Sequence, residues 1–182
     1  MGCPKLLLPW RTTTVVEHML QVWRASQVVH VILVVRADDG ALADAGRRSG
    51  ADIVLADPPP PDMKASVLAG LAHAANLYAP NEGDAWLLAP ADMPMYTPAT
   101  IDRVIEEAKG WREHIVVPCY AGQRGHPVLF PWRMAAAAAA LAPDVGLNQL
   151  LKENAVREVD VFDQGVLADL DTFEDYRKWH DG

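Results

Sequence analysis

The run from Val28 to Val35, VVHVILVV, constrains the fold more than any other stretch of this sequence. Its apolar character does not alternate, and all but His30 and Leu33 are β-branched. Such a strand is buried on both faces, as in a parallel sheet covered by helices on either side. The flanking sequence supplies those helices. TTTVVEHMLQVWRAS, 12–26, opens with threonines able to cap a helix and repeats apolar residues at Val15, Met19, Val22 and Trp23. DDGALADAGRRSG, 38–50, predicts a short helix ending at a glycine, and DIVLA, 52–56, a second strand.

DPPPPD, 57–62, is a stiff loop, because its prolines block both helix and sheet pairing. It leads into MKASVLAGLAHAANLY, 63–78, a strong helix with Asp62 placed to cap it and Val67, Leu68 and Leu71 facing the core. DAWLLAP, 84–90, is a third strand, and Thr97 with Pro98 starts a helix over about 97–109. HIVVPCY (114–120), the turn AGQRG and HPVLFPW (126–132) form an antiparallel excursion. The tract Ala135–Ala140, flanked by Met134 and Leu141, reads as a tightly packed helix. GLNQLLKEN is a further helix, AVREVDVF a strand, and TFEDYRKWH a closing helix capped by Thr172. Strands alternate with helices and nothing repeats, which predicts an α/β layered domain with a largely parallel sheet. On length, residues 1–182 make one domain.

A net charge of −8 argues against nucleic acid and anionic membranes as partners. It does not exclude a nucleotide, because carboxylates can hold a metal that supplies the positive charge phosphates require. The two cysteines, Cys3 and Cys119, are far apart and in no metal-like spacing. A disulfide is not suggested, and a reducing cytoplasm is the simpler reading. There is no transmembrane run, which needs about 20 apolar residues.

Ligands of such sheets bind at the carboxyl ends of the strands, and that rule selects the polar residues worth weighing. Asp92, in LLAPADMPM, lies just past a buried strand, with Pro94 stiffening the turn behind it. A single Asp most often only caps a turn. Magnesium, however, takes one or two protein carboxylates plus substrate phosphates, so one well-placed Asp can matter. In VLADLDTFEDY, Asp169 and Asp171 point the same way in extended chain. Asp169 is the expected functional carboxylate and Asp171 the structural one, one of the pair being available to help cap the last helix. Glu174 and Asp175 suit that helix's first turn. Lys64 and Ser66 begin the 63–78 helix, where free N–H groups could hold an anion. For Lys64 a solvated helix start is as good a reading. His126 follows a tight turn bounded by glycines, and a lone histidine there is more often structural than a base or ligand. Lys5 matters only if a phosphate is near.

Taken together, MGCPKLLLP (1–9), DMKASVLAGL (62–71), ADMP (91–94), PCYAGQRGHPVLF (118–130) and DLDTFEDY (169–176) resemble the MobA-like nucleotidyltransferase family, which includes molybdenum cofactor cytidylyltransferase. Order and approximate spacing agree along the whole chain, and RGHPVLF with DLDT is the most specific part. The resemblance implies a Rossmann-like, three-layer fold that transfers a nucleoside monophosphate from an NTP, CTP being favoured, to a phosphorylated acceptor such as molybdopterin. It implies Mg2+ as cofactor, bound by Asp92 and Asp169. It gives Lys5 a contact with the nucleotide phosphates, Ser66 a place near base and sugar, and His126 a place in the nucleotide site. A molybdoenzyme would be a protein partner. A sugar-phosphate nucleotidyltransferase, or a non-catalytic nucleotide-fold module that binds a protein, are the alternatives.

Three departures qualify the resemblance. The match begins at the methionine of the family's R-M-G, so the first strand and the L-A-A-G-x-S-x-R loop have no counterpart in these 182 residues. The expectation is a natural protein longer than this sequence; the other reading is a shortened relative. The family's G-M is Asp62-Met63 here, which puts a carboxylate near the expected phosphates, and its G-D is Ala91-Asp92.

Overall fold

In the computed structural model, residues 5–180 are described. They begin with a 3-10 turn, Lys5–Leu7, and a small antiparallel hairpin of β1 (Pro9–Trp10) and β2 (Thr13–Thr14). Helix α1 (Val15–Arg24) follows at once. Its first turn is closed by a reciprocal cap: the Glu17 amide donates to Thr14 Oγ1 and the Thr14 amide donates to Glu17 Oε2. Its buried face carries Val15, Val16, Met19, Leu20, Val22 and Trp23, at the expected helical spacing.

Next come β3 (Ile32–Arg36), α2 (Gly40–Arg48) and β4 (Asp52–Ala56). β3 and β4 pair in parallel, with Ile32 opposite Asp52 and Arg36 opposite Ala56. The strand expected over 28–35 therefore starts four residues late. β4 begins only at Asp52, so the residues before Ile32 have no ladder to join, and Val29 is left 84% exposed. Helix α3 (Met63–Tyr78) is capped as expected, the Ala65 amide donating to Asp62 Oδ1 at 2.7 Å.

The remaining elements are β5 (Ala85–Leu88), α4 (Pro98–Gly110), β6 (Ile115–Tyr120), β7 (Gln123–Arg124), β8 (Val128–Pro131), α5 (Met134–Ala140), α6 (Asn148–Glu153), β9 (Val156–Asp160) and α7 (Phe173–His180). β8 lies antiparallel between β5 and β6, and β9 pairs in parallel with β6. β5, β6 and β9 thus run in one direction, and β8 and the short β7 are reversed. This larger sheet is mixed: the excursion around 114–132 is antiparallel, as expected, with β8 inserted between β5 and β6. Ala121 and Gly122 both take positive φ in the tight β6–β7 turn, the geometry that matches strand twist in a two-residue hairpin.

Alternation along the strands shows the helical layers on the two faces. Ile115, Val117, Val128, Phe130 and Trp86 face a core shared with α5 and α6, with Val67, Leu68 and Leu71 of α3 packed on it. Val116 and Leu129 face the opposite way, onto Val104 of α4 and Val159. On β3, Leu33 and Val35 join α1 and α2, while Val34 and Ile32 lie under Gly70 of α3. Cys119 is a buried free thiol whose pKa burial and then Glu158 push up to about 11. Any pairing with Cys3 lies outside the described residues. No helix among the described residues is long and apolar enough to cross a membrane.

Candidate functional site

β5 ends at Leu88, and its carboxyl end delivers the segment Ala89–Tyr96. Asp92 sits on that segment and is held from two sides. The Leu170 amide donates to the Asp92 carbonyl at 3.0 Å, which docks the 169–171 stretch against it. Lys5 Nζ donates to Asp92 Oδ2 at 2.6 Å. The other carboxylate oxygen, Oδ1, is buried and has no hydrogen-bond partner. A buried charged oxygen without a donor is costly, and a cation is the natural group to complete it.

Lys5 reaches this point because its neighbours are anchored. Leu6 and Leu8 pack on a cluster of Trp10, Val15, Leu170 and Tyr176. The Tyr176 hydroxyl donates to the Pro9 carbonyl. The start of the described chain is thereby tied to the last helix, and the same cluster fixes Leu170 between the two terminal aspartates. Lys5 Nζ also lies 3.4 Å from Asp171 Oδ1. Partial burial acts to lower the lysine's pKa, but the hydrogen bonds and charges of Asp92 and then Asp171 outweigh it and hold the ammonium above its ordinary range.

Neither Asp169 nor Asp171 supplies the helix cap that the sequence offered to one of them. Helix α7 is capped by Thr172 and Asp175: the Thr172 amide donates to Asp175 Oδ2 at 2.8 Å and the Asp175 amide to Thr172 Oγ1 at 3.1 Å. That leaves Asp171 uncommitted to the cap, and it turns to Lys5 with its side chain 69% exposed. Asp169 is exposed too, and its charge acts on His126. His126 Nδ1 lies 3.3 Å from the Leu88 carbonyl, with its backbone amide on the Val166 carbonyl. Burial pushes its pKa down, against the Leu88 carbonyl and the charges of Asp92 and Asp169. The structure therefore brings Lys5, Asp92, Asp169, Asp171 and His126 to one end of β5.

Ser66 and Lys64 are placed differently. Ser66 Oγ donates to the Asp62 carbonyl at 3.3 Å, one turn back, and the residue lines a cavity beneath α3. Lys64 is buried, and its Nζ donates to the carbonyls of Ala142, Pro143 and Val145 at 2.6 to 2.9 Å. Its three protons are used, so the anion-holding reading of Lys64 gives way to a structural one. Asp62 spends a carboxylate oxygen on capping α3, which explains an acidic residue at that position.

Two residues were not singled out from sequence. His18, on α1, hydrogen-bonds the Pro94 backbone, and burial with the Arg11 charge lowers its pKa against that bond. Asp163 takes the amides of Thr97 and Gly165 and the Thr100 hydroxyl, tying the segment before Asp169 to the start of α4. Thr97 itself makes no side-chain cap to α4. Neither residue carries a local motif that sequence could have flagged.

Among the described residues no group of three or more His, Cys, Asp or Glu side chains is arranged to hold a metal alone. A divalent cation here would draw on the free Asp92 oxygen, one neighbouring carboxylate and oxygens of a substrate, which is how magnesium is usually held.

Residues 1–159 match the MobA-like NTP transferase domain. Rv0371c from Mycobacterium tuberculosis is 32% identical, with a TM-score of 0.79 over 100% of this chain and 91% of that one. It has also been solved in complex with manganese. The Methanothermobacter nucleotidyl transferase Mth528 is 25% identical, with a TM-score of 0.80 over 97% of this chain and 83% of that one. Molybdopterin-guanine dinucleotide biosynthesis protein A from Archaeoglobus fulgidus, 16% identical, shares the fold at a TM-score of 0.71 over 99% of this chain and 90% of that one. Comparison with the curated proteins gives no match. With the family match spanning most of its length and the site residues gathered where an α/β sheet binds its ligands, this chain belongs to the MobA-like NTP transferase family.

Proposed function

We propose that this protein transfers a nucleoside monophosphate, CMP from CTP, to a phosphorylated acceptor of the molybdopterin type, with pyrophosphate released. The observation that carries the reading is Asp92: one oxygen held by Lys5, the other buried and unpartnered, at the carboxyl end of β5. An acceptor phosphate oxygen attacks the α-phosphorus, a new P–O bond forms, and the bond to the β-phosphate breaks. The attacking phosphate is already an anion, so no protein base is needed. That suits a site whose histidine is held neutral by burial.

A divalent cation such as Mg2+, when bound, would neutralise triphosphate charge and polarise the α-phosphate. The residues present fit such an ion. Asp92 offers the free oxygen, and Asp169 is the second carboxylate in this reading. Lys5 exchanges its carboxylate partners for phosphate oxygens and stabilises charge as it develops there. Ser66 and His126 border the nucleotide, and the GHP and Ser66-containing stretches favour cytidine. Carboxylates outnumber Lys5 at this point, so a bare triphosphate is repelled and the metal complex is the competent substrate.

The pairing of Lys5 with both Asp92 and Asp171 favours a second reading, a non-catalytic module whose site is closed by its own ion pairs. Pyrophosphate release from CTP, with Mg2+ and a molybdopterin acceptor, separates the two. Metal-dependent release is expected, and its absence in both this chain and one extended at its start would favour the module.

A further inference from the structure

The segment Asp163–Leu170 is wedged between two pieces of chain that build the site. Along one side it runs antiparallel to Asp92–Thr100. Asp163 meets Thr97 and Thr100, Gly165 lies on the backbone of Met95 and Tyr96, and the Leu170 amide donates to the Asp92 carbonyl at 3.0 Å. Along the other side the Val166 carbonyl accepts the His126 amide at 2.9 Å, and Gly125 lies against that same carbonyl. A methyl group on Gly165 would come within 2.7 Å of backbone atoms of Met95 and Tyr96, and one on Gly125 would collide with Val166. Neither position has room for a side chain, so backbone meets backbone and the segment has one seat.

Asp163 fastens this segment at the end away from Asp92. Its Oδ2 accepts the Thr97 amide at 3.0 Å, the Thr97 hydroxyl at 3.3 Å and the Thr100 hydroxyl, and its Oδ1 accepts the Gly165 amide at 2.9 Å. Thr100 is buried, so its hydroxyl depends on this acceptor. Thr97 makes no side-chain cap of its own to α4. A carboxylate from much later in the chain stands at that helix's N-terminus instead, where negative charge is favoured. Both oxygens of Asp163 already face protein donors, so it acts through the segment it holds.

That segment ends at Asp169. Val166 and Leu170 are fully buried on either side of it, while Asp169 itself is exposed. Its place relative to Asp92 is therefore set by backbone: by the Leu170–Asp92 bond at one end and the Asp163 anchor at the other. Resting on the transfer reading above, we infer that Asp163 is a positioning residue. It ties the segment to α4 so that Asp169 and Asp92 keep the spacing that one shared divalent cation requires.

The test compares Asp163→Ala with the unaltered chain by two readouts. The first is amide exchange followed residue by residue in NMR, without nucleotide. Exchange of the Leu170 amide is expected to speed up by at least about 10-fold while the amides of β6 keep their rates, the mark of a local opening. The second is the Mg2+ dependence of pyrophosphate release from CTP. The half-saturating Mg2+ concentration is expected to rise by about 10-fold or more, the usual cost of removing a group that supports metal ligands. A purely structural Asp163 would lower the folded fraction and leave that concentration where it was. Should the alanine chain fail to fold, Asp163→Asn makes the same comparison, since it keeps an oxygen for Thr97 and Thr100 but turns an amino group onto the Gly165 amide. An unchanged Leu170 rate, equal acceleration in β6, or an unmoved Mg2+ dependence overturns the inference. Absence of release by the unaltered chain defeats the catalytic reading instead, and the exchange of Leu170 then decides the tie alone.

Discussion

The two sheets differ in how completely they are finished. Around β6 and β8, Ile115, Val116, Val117 and Phe130 are essentially inaccessible to solvent, and both strands are covered by helices on either face. Around β3, β4 and α3, Ile32, Val34 and Val67 are half-buried, and Leu55 is exposed. The apolar composition of the two regions is similar. The difference is neighbours: the larger sheet has strands on both sides of β6 and β8, while β3 and β5 each keep an open edge. Asp92 follows β5, the strand of the larger sheet whose outer edge is open, and Lys5 reaches it from beside the cluster of Leu6, Leu8, Trp10 and Tyr176.

Catalysis should be the most sensitive probe of that seam. Lys5→Ala is expected to lower nucleotidyl transfer by about 10²–10³-fold, the usual cost of removing one preorganised electrostatic contact, while circular dichroism stays unchanged. Packing comes next. Phe130→Ala, in the finished sheet, should cost about 3–5 kcal/mol in urea unfolding. Val67→Ala, over the cavity, should cost roughly 1 kcal/mol or less, because much of its side chain already lacks neighbours. Equal costs would erase the contrast between the regions.

Lys64 spans them, joining α3 to the α5–α6 connection through three carbonyls. Lys64→Met leaves those carbonyls without their donor and should destabilise by about 2–3 kcal/mol, with no selective loss of transfer activity per folded molecule. A large drop in activity at unchanged stability would return Lys64 to the anion-binding role.

The smallest expected effect is in acid. Burial pushes the His126 pKa down, against the Leu88 carbonyl and the charges of Asp92 and Asp169, so the native state disfavours the protonated imidazole relative to the unfolded chain. The unfolded chain takes up that proton as pH falls through about 6.5. Below that point the unfolded state binds more protons, and stability declines with acidification. His126→Gln should flatten the fall in Tm between pH 7 and pH 5.5, and an unaltered slope would mean that other groups carry the acid response.

Much of this was legible in the sequence because it is local. The caps Thr14, Asp62 and Thr172, the helical spacing in α1 and the carboxylate after a buried strand are patterns of adjacent residues. What was not legible depends on partners. Residues 28–31 look as strand-like as 32–35, but β4 offers no register for them. Lys64 reads like any lysine in a first helical turn until residues 142–145 fold over it. Which acidic residue completes the cap of α7 is likewise settled by geometry: Asp175 does so, and Asp171 turns to Lys5. Val67, Leu68 and Leu71 have core spacing, yet they are half-buried because a cavity bordered by β3 and β5 lies beside α3.

The account stands or falls on Asp92. The decisive measurement is pyrophosphate release from CTP by Asp92→Asn, at saturating Mg2+ and acceptor, beside the unaltered chain. Transfer reduced by at least about 10²-fold, with an unchanged melting curve, is the result expected of the residue that completes the metal–phosphate site. Turnover equal to that of the unaltered chain would contradict the account and remove Asp92 from the chemistry.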